Sequence, residues 1–203
     1  AGRDEGQFRF YDGLSDAFVG HLHANRNERS LLFRNEGGGH FEDVTESVGL
    51  DDISWSGDAS PIDANQDGWP DLYVLNMQGH DEYYENVEGK KFVRKSRELF
   101  PKTSWGAMGI KVFDFDNDGL MDIFITDMHS DMGDDHLKKM QDNVDLGEEK
   151  LKSPPPFPES LLKTEGNSLF GNSFFRGVGP GRFEEISDTI GAENYWPWGL
   201  SVG

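Results

Sequence analysis

The feature that most constrains this chain is a nine-residue pattern that occurs twice in a fixed register. It reads Asp63-Ala-Asn65-Gln-Asp67-Gly68-Trp-Pro-Asp71 and Asp114-Phe-Asp116-Asn-Asp118-Gly119-Leu-Met-Asp122. The leading aspartates stand 51 positions apart, as do Phe41 and Phe92, and each phenylalanine precedes its loop by 22 positions. The phenylalanines end similar phrases, Leu32-Phe-Arg-Asn through Phe41 and Tyr84-Glu-Asn-Val through Phe92. A third such phrase runs from Phe174 to Phe183, 91 positions beyond Phe92, so about 40 residues are inserted before it. Two landmarks kept in step define an internal repeat, which decides the architecture before any single element is considered.

Each unit reads as four short strands. A Trp/Gly segment (Ser54-Trp55-Ser-Gly57, Ser104-Trp105-Gly106, Pro197-Trp198-Gly199) leads into a first strand that ends in the acidic loop. The apolar runs Leu72-Tyr-Val-Leu75 and Ile123-Phe-Ile-Thr126 leave the loop as second strands. The last two strands pair through glycine-rich turns such as Glu36-Gly-Gly-Gly39 and Gly179-Pro-Gly181. Four short strands per 50 residues predict an all-β fold of β-propeller blades, each a four-stranded antiparallel sheet. The units fall at about 1–53, 54–103 and 104–195, with the start of another at 196–203 and an insertion at 128–167. About three units make a partial propeller, because rings close with about four to eight blades. The expectation is therefore a piece of a longer protein, or self-association in which another chain completes the ring.

The loop spacing has a chemical reading. Oxygen side chains at positions one, three, five and nine, with glycine at six, wrap a hard divalent cation, calcium above all. The glycine permits the sharp turn because it takes positive φ without steric cost. The candidate ligands are Asp63, Asn65, Asp67, the carbonyl of Trp69 and Asp71, then Asp114, Asp116, Asp118, the carbonyl of Leu120 and Asp122. An EF-hand opens in the same way but requires glutamate at position twelve and flanking helices. Here position twelve is Val74 or Ile125, inside a strand pattern. A degenerate copy lies at Asp12-Gly13-Leu-Ser-Asp16, with Phe8 and Phe10 where the first two ligands belong.

Charge limits the partners. With 19 basic and 38 acidic residues the formal net charge is -19, which repels nucleic acid and anionic membrane and favours a bound cation or a basic ligand. No apolar stretch is long enough to cross a bilayer as a helix, and Ala1-Gly-Arg-Asp-Glu5 lacks the form of a signal peptide. The absence of cysteine excludes disulfides and thiolate chemistry.

The remaining candidates are weaker. Aspartates beside a cation stay ionised and make poor proton donors, so the clustered carboxylates read as ligands and not as a glycosidase pair. Ser54, Ser104 and Ser201 have no nucleophile-elbow context. His21 with His23, and His129 with His136 near Met128 and Met132, have the donor types of a copper site but also read as solvated surface. Trp55, Trp105, Trp196 and Trp198 read as packing between blades. The insertion carries an acidic stretch, a short predicted helix from Leu137 to Leu151 and the extended run Ser153-Pro-Pro-Pro-Phe-Pro158; it reads as a solvated excursion or a binding surface.

The pattern D-x-[DN]-x-D-G-x-x-D followed by an apolar strand resembles the FG-GAP/VCBS repeats of integrin α-subunit-type propellers. The phrase Gly39-His-Phe41-Glu-Asp-Val-Thr-Glu-Ser-Val-Gly49-Leu resembles the ASPIC/UnbV and cartilage acidic protein group in particular. That resemblance implies a seven-bladed secreted, periplasmic or cell-surface propeller with calcium in the loops listed by residue above. The implied function is non-catalytic: binding, adhesion or scaffolding toward a protein or glycan. The alternative is the non-catalytic propeller portion of an extracellular enzyme acting on polysaccharide.

Overall fold

The computed structural model describes residues 29–52, 54–77, 80–104, 106–128, 167–169, 171–192 and 200–201. The Asp12/Asp16 loop, all four histidines considered above, Trp105, Trp196, Trp198, the proline run and the predicted helix in the insertion lie outside these residues.

The architecture is all-β, built on two four-stranded antiparallel sheets with the shape of propeller blades. In the first, β3 (Ser56–Ile62), β4 (Asp71–Asn76), β5 (Glu82–Val87) and β6 (Lys91–Arg94) lie in chain order. The second repeats this with β8 (Ala107–Phe113), β9 (Asp122–Asp127), β11 (Ser173–Gly179) and β12 (Arg182–Glu185). Before them, β1 (Phe33–Gly37) and β2 (His40–Asp43) form a hairpin equivalent to the outer two strands of a blade. The acidic loops join first strand to second in both sheets, where Ile62 pairs with Asp71 and Phe113 with Asp122. One pairing has no counterpart in the repeat: β7 (Lys102–Ser104) lies parallel to β10 (Asn167–Leu169). Its second strand comes from the end of the insertion, where no periodic landmark marks it.

A hydroxyl latch closes each unit. Four residues after the phenylalanine landmarks stand Thr45, Ser96 and Ser187. Their side-chain oxygens accept from the backbone N–H of Leu32, Tyr83 and Phe174 at 2.8, 2.8 and 2.7 Å. Each latch returns the chain after the fourth strand onto the start of the third, and satisfies a strand N–H that lacks a ladder partner. In the two complete blades the latch serine opens a one-turn helix, Ser96–Leu99 or Ser187–Ile190.

A second recurring clamp spans the connection between second and third strands. In the first blade the Asn76 N–H donates to Asp81 Oδ1 (2.9 Å), and in the second the Asp127 N–H donates to Asn172 Oδ1 (2.9 Å). Amide and carboxylate have exchanged places, while the bond is unchanged. The clamped residues are five positions apart in the first blade and 45 in the second.

Strand alternation distributes the core. Tyr73, Leu75 and Tyr83 face the second blade and pack with Ile110, Ile123, Ile125 and Phe175 in one cluster. Phe100, on the segment connecting the blades, fills the centre at 1% exposure. Its ring meets Tyr73, Tyr83 and Phe175 edge-on at centroid distances of 5.0, 5.6 and 5.3 Å, and Phe183 at 4.8 Å. Interblade packing thus rests on Phe100 and its neighbours. Trp55, expected in that role, is 45% exposed, and its backbone carbonyl accepts from the Met77 N–H (2.8 Å).

Candidate metal loops

Both loops are shaped by the same backbone bonds. Asp63 accepts from the N–H of Asp67 (3.1 Å) and Gly68 (3.0 Å); Asp114 accepts from Asp118 (3.1 Å) and Gly119 (3.0 Å). At position five, Asp67 and Asp118 accept from the N–H of Trp69 and Leu120, both at 2.8 Å. Position four is left-handed in each, with Gln66 at φ 59° and Asn117 at φ 60°, and the glycine follows two residues later at 87° or 85°. Two left-handed residues within one turn give both loops the same tight bend.

Position nine works differently. Asp71 accepts from the N–H of Ala64 (3.1 Å) and Asn86 (2.7 Å) and from the Tyr83 hydroxyl (2.5 Å). Asp122 accepts from the N–H of Phe115 (2.7 Å) and Gly177 (2.9 Å). Each carboxylate therefore ties its loop to the third strand of its own blade. Burial holds the Asp71 carboxyl above the usual carboxylate range, and the Tyr83, Asn86 and Ala64 donors pull the other way. Burial and the neighbouring Asp71 push the Tyr83 hydroxyl up, so it stays a donor.

The two loops gather their acids unequally. In the second, Asp114, Asp116 and Asp122 bring one carboxylate oxygen each within 4.8 Å of one another. Ligands sharing a calcium ion at about 2.3–2.6 Å lie at most about 5.2 Å apart, so this spread fits one ion. Among the described residues it is the one acidic group so gathered. In the first loop position three is Asn65, which accepts from the Asp67 N–H (3.1 Å) and donates to Asp67 Oδ2 (2.9 Å). Asp118 is turned toward Leu120 and lies 3.8 Å from the Arg176 guanidinium. Trp69 is 44% exposed and lies over the Gly89 turn, where a Cβ would come within 2.6 Å of its ring.

Sequence reasoning missed two features of this site. The position-nine aspartates double as structural clamps, and Arg176 on β11 hydrogen-bonds Asp116. The clamp has a sequence signal, since the strand residue whose N–H it binds (Asn86, Gly177) sits six positions before each phenylalanine landmark. The arginine has a partial one, since the equivalent position is Arg34 in the first hairpin but Glu85 in the first complete blade.

Repeated four-stranded blades, each with an acidic glycine loop between its first two strands, define a propeller-type repeat protein. The chain belongs to the FG-GAP-like repeat family, whose pattern matches residues 11–74 and 63–125. It is similar to cartilage acidic protein 1 of Mus musculus, 32% identical over 107 residues covering 51% of this chain and 17% of that protein. The Homo sapiens protein of the same name is 33% identical over 107 residues, covering 51% and 16%. The match thus spans about a sixth of the length of these relatives. Among the described residues no helix is long and apolar enough to cross a membrane.

Proposed function

We propose that this chain is a calcium-stabilised propeller module that works by binding or scaffolding in an extracellular or periplasmic setting, with no catalysis of its own. The observation that carries the reading is the convergence of Asp114, Asp116 and Asp122 on a loop shaped for oxygen coordination. Asp63, Asn65, Asp67 and Asp71 would hold an ion in the first loop, and Asp114, Asp116, Asp118 and Asp122 in the second, with the Trp69 and Leu120 carbonyls completing each set. The ion would supply positive charge that pins acidic loop tips to the sheet. At millimolar calcium and a site affinity of about 10⁻⁴ M, mass action gives about 1.4 kcal/mol per loop. The partner in this reading is a protein or glycan, and the net charge of -19 favours a basic one.

The test is thermal melting with light scattering, in calcium and in excess chelator, on wild type and on the Asp67→Ala, Asp118→Ala double variant. Chelation is expected to lower the wild-type Tm and to leave the double variant unchanged, and the scattering mass reports whether chains associate. A wild-type Tm indifferent to calcium would sink the reading.

A further inference from the structure

The two loops differ in charge, and the difference is balanced from outside the loop. The first carries three aspartates, Asp63, Asp67 and Asp71; the second carries four, because Asp116 replaces the asparagine at position three. Facing that extra carboxylate is Arg176, whose Nη2 hydrogen-bonds Asp116 Oδ2 and lies 3.8 Å from Asp118 Oδ2. Its Nε is buried without a partner, so the guanidinium is committed at its tip and not along its edge. In the first blade the same strand position holds Glu85, which is bound by Lys95 Nζ at 2.8–2.9 Å and adds no charge to the loop.

The approach of the arginine depends on its neighbour. Gly177 lies against the second loop so closely that a Cβ would fall 2.6 Å from the Met121 carbonyl oxygen and 3.1 Å from Leu120 Cβ. In the first blade Asn86 stands there and spaces the loop through a side-chain bond to the Pro70 carbonyl (2.9 Å). The absence of a side chain at Gly177 leaves room for the Met121 carbonyl and Leu120 beside Arg176, which reaches positions three and five.

We propose that Arg176 is a resident counter-ion of the second loop, and that it competes with calcium for Asp116 and Asp118. This rests on the calcium reading above. The consequence is that the loops are inequivalent. Without metal the guanidinium offsets one of the second loop's four carboxylates and holds Asp116 in place, whereas in the first loop the neutral Asn65 amide takes that position and donates to Asp67. Calcium entering the second loop must displace the guanidinium from Asp116, so its affinity there is set by an ion exchange and not by the carboxylate count.

The test is calorimetric calcium titration of the full chain in an Asp67→Ala background that silences the first loop. Arg176, Arg176→Gln and Arg176→Lys are compared, each also melted in chelator. A unit positive charge a few ångströms from a divalent ion in a solvent-exposed setting weakens binding by about 10- to 30-fold. Arg176→Gln is therefore expected to bind calcium about 10- to 30-fold more tightly, and Arg176→Lys to stay near the parent. In chelator Arg176→Gln should melt below the parent, with a larger gain on adding calcium; a merely structural arginine would move both melts the same way. Unchanged or weaker binding in Arg176→Gln overturns the proposal while leaving the calcium reading intact. No calcium binding in any of the three overturns both. Should Arg176→Gln fail to fold, Arg176→Met must show the same tighter calcium binding, and unchanged or weaker binding there overturns the proposal.

Discussion

Replacing Phe100 by alanine probes how the blades are joined. The ring is 1% exposed and meets four others, two contributed by each blade. Truncating a buried phenylalanine costs about 3–5 kcal/mol, the transfer term plus the cavity term. The site stands near the upper end, because β4, β5, β11 and β12 are tied to their own sheets and are poorly placed to collapse into the gap. For a chain of this size each kcal/mol lowers the Tm by about 2–4 °C, so a loss of about 5 kcal/mol corresponds to about 10–20 °C. Phe100→Leu retains most of the volume and loses the edge-on ring contacts, each worth about 0.5–1.5 kcal/mol, and should fall between. The assay is near-ultraviolet circular dichroism during thermal melting at saturating calcium, with chemical denaturation as a second measure. A Phe100→Ala shift below about 1 kcal/mol, or a leucine variant as damaged as the alanine one, would refute the idea that this ring couples the blades.

Asp122→Ala leaves the Phe115 and Gly177 N–H groups without their acceptor, and should destabilise by about 2–4 kcal/mol even in chelator; Asp122→Asn, which keeps one acceptor, should cost about half, read by urea denaturation. Gly177→Ala places a methyl 2.6 Å from the Met121 carbonyl and is expected to lower the Tm by several degrees, whereas alanine at Gly181, with open space around it but a φ of 63°, should cost about 1 kcal/mol. Burial, and secondarily the Arg97 guanidinium, push His80 down to about 4 from 6.5. The folded ring stays neutral while the unfolded chain takes up a proton, so its contribution is present above pH 6.5 and is lost as pH falls toward 4. Between about pH 7 and pH 5, wild type should lose about 1 kcal/mol more stability than His80→Gln, allowing for the ring's partial solvent access.

The legible part of this structure was the part that repeats. A 51-residue register located the acidic loops, the second strands and the glycine turns, because each recurs with the same residue types at the same offset. The latch went unread although Thr45, Ser96 and Ser187 recur at one offset, because a lone hydroxyl carries no direction until the strand it reaches is in place. What escaped was whatever differs between units. Arg176 aligns with Arg34 in the first hairpin but with Glu85 in the first complete blade, and Phe100 sits in a connector with no counterpart among the landmarks. Trp55 shows the converse, where recurrence in the sequence suggested packing between blades and the residue is 45% exposed. Recurrence reports a shared local geometry, whereas packing between blades depends on what the neighbouring unit presents.

The clamp between second and third strands has a consequence for how such a chain can change. One bond from a backbone N–H to a side-chain oxygen serves a connection of five positions in one blade and 45 in the other, with donor and acceptor lined up alike. Closing the longer segment costs only about 2 kcal/mol more in chain entropy, because that cost grows with the logarithm of length. Asn76 with Asp81 and Asp127 with Asn172 therefore act as a socket that accepts cargo of almost any length without altering the sheet beneath. New sequence can be tried at that end of a blade while the acidic loops at the other end are left alone, so one face is free to diversify as the opposite face stays fixed.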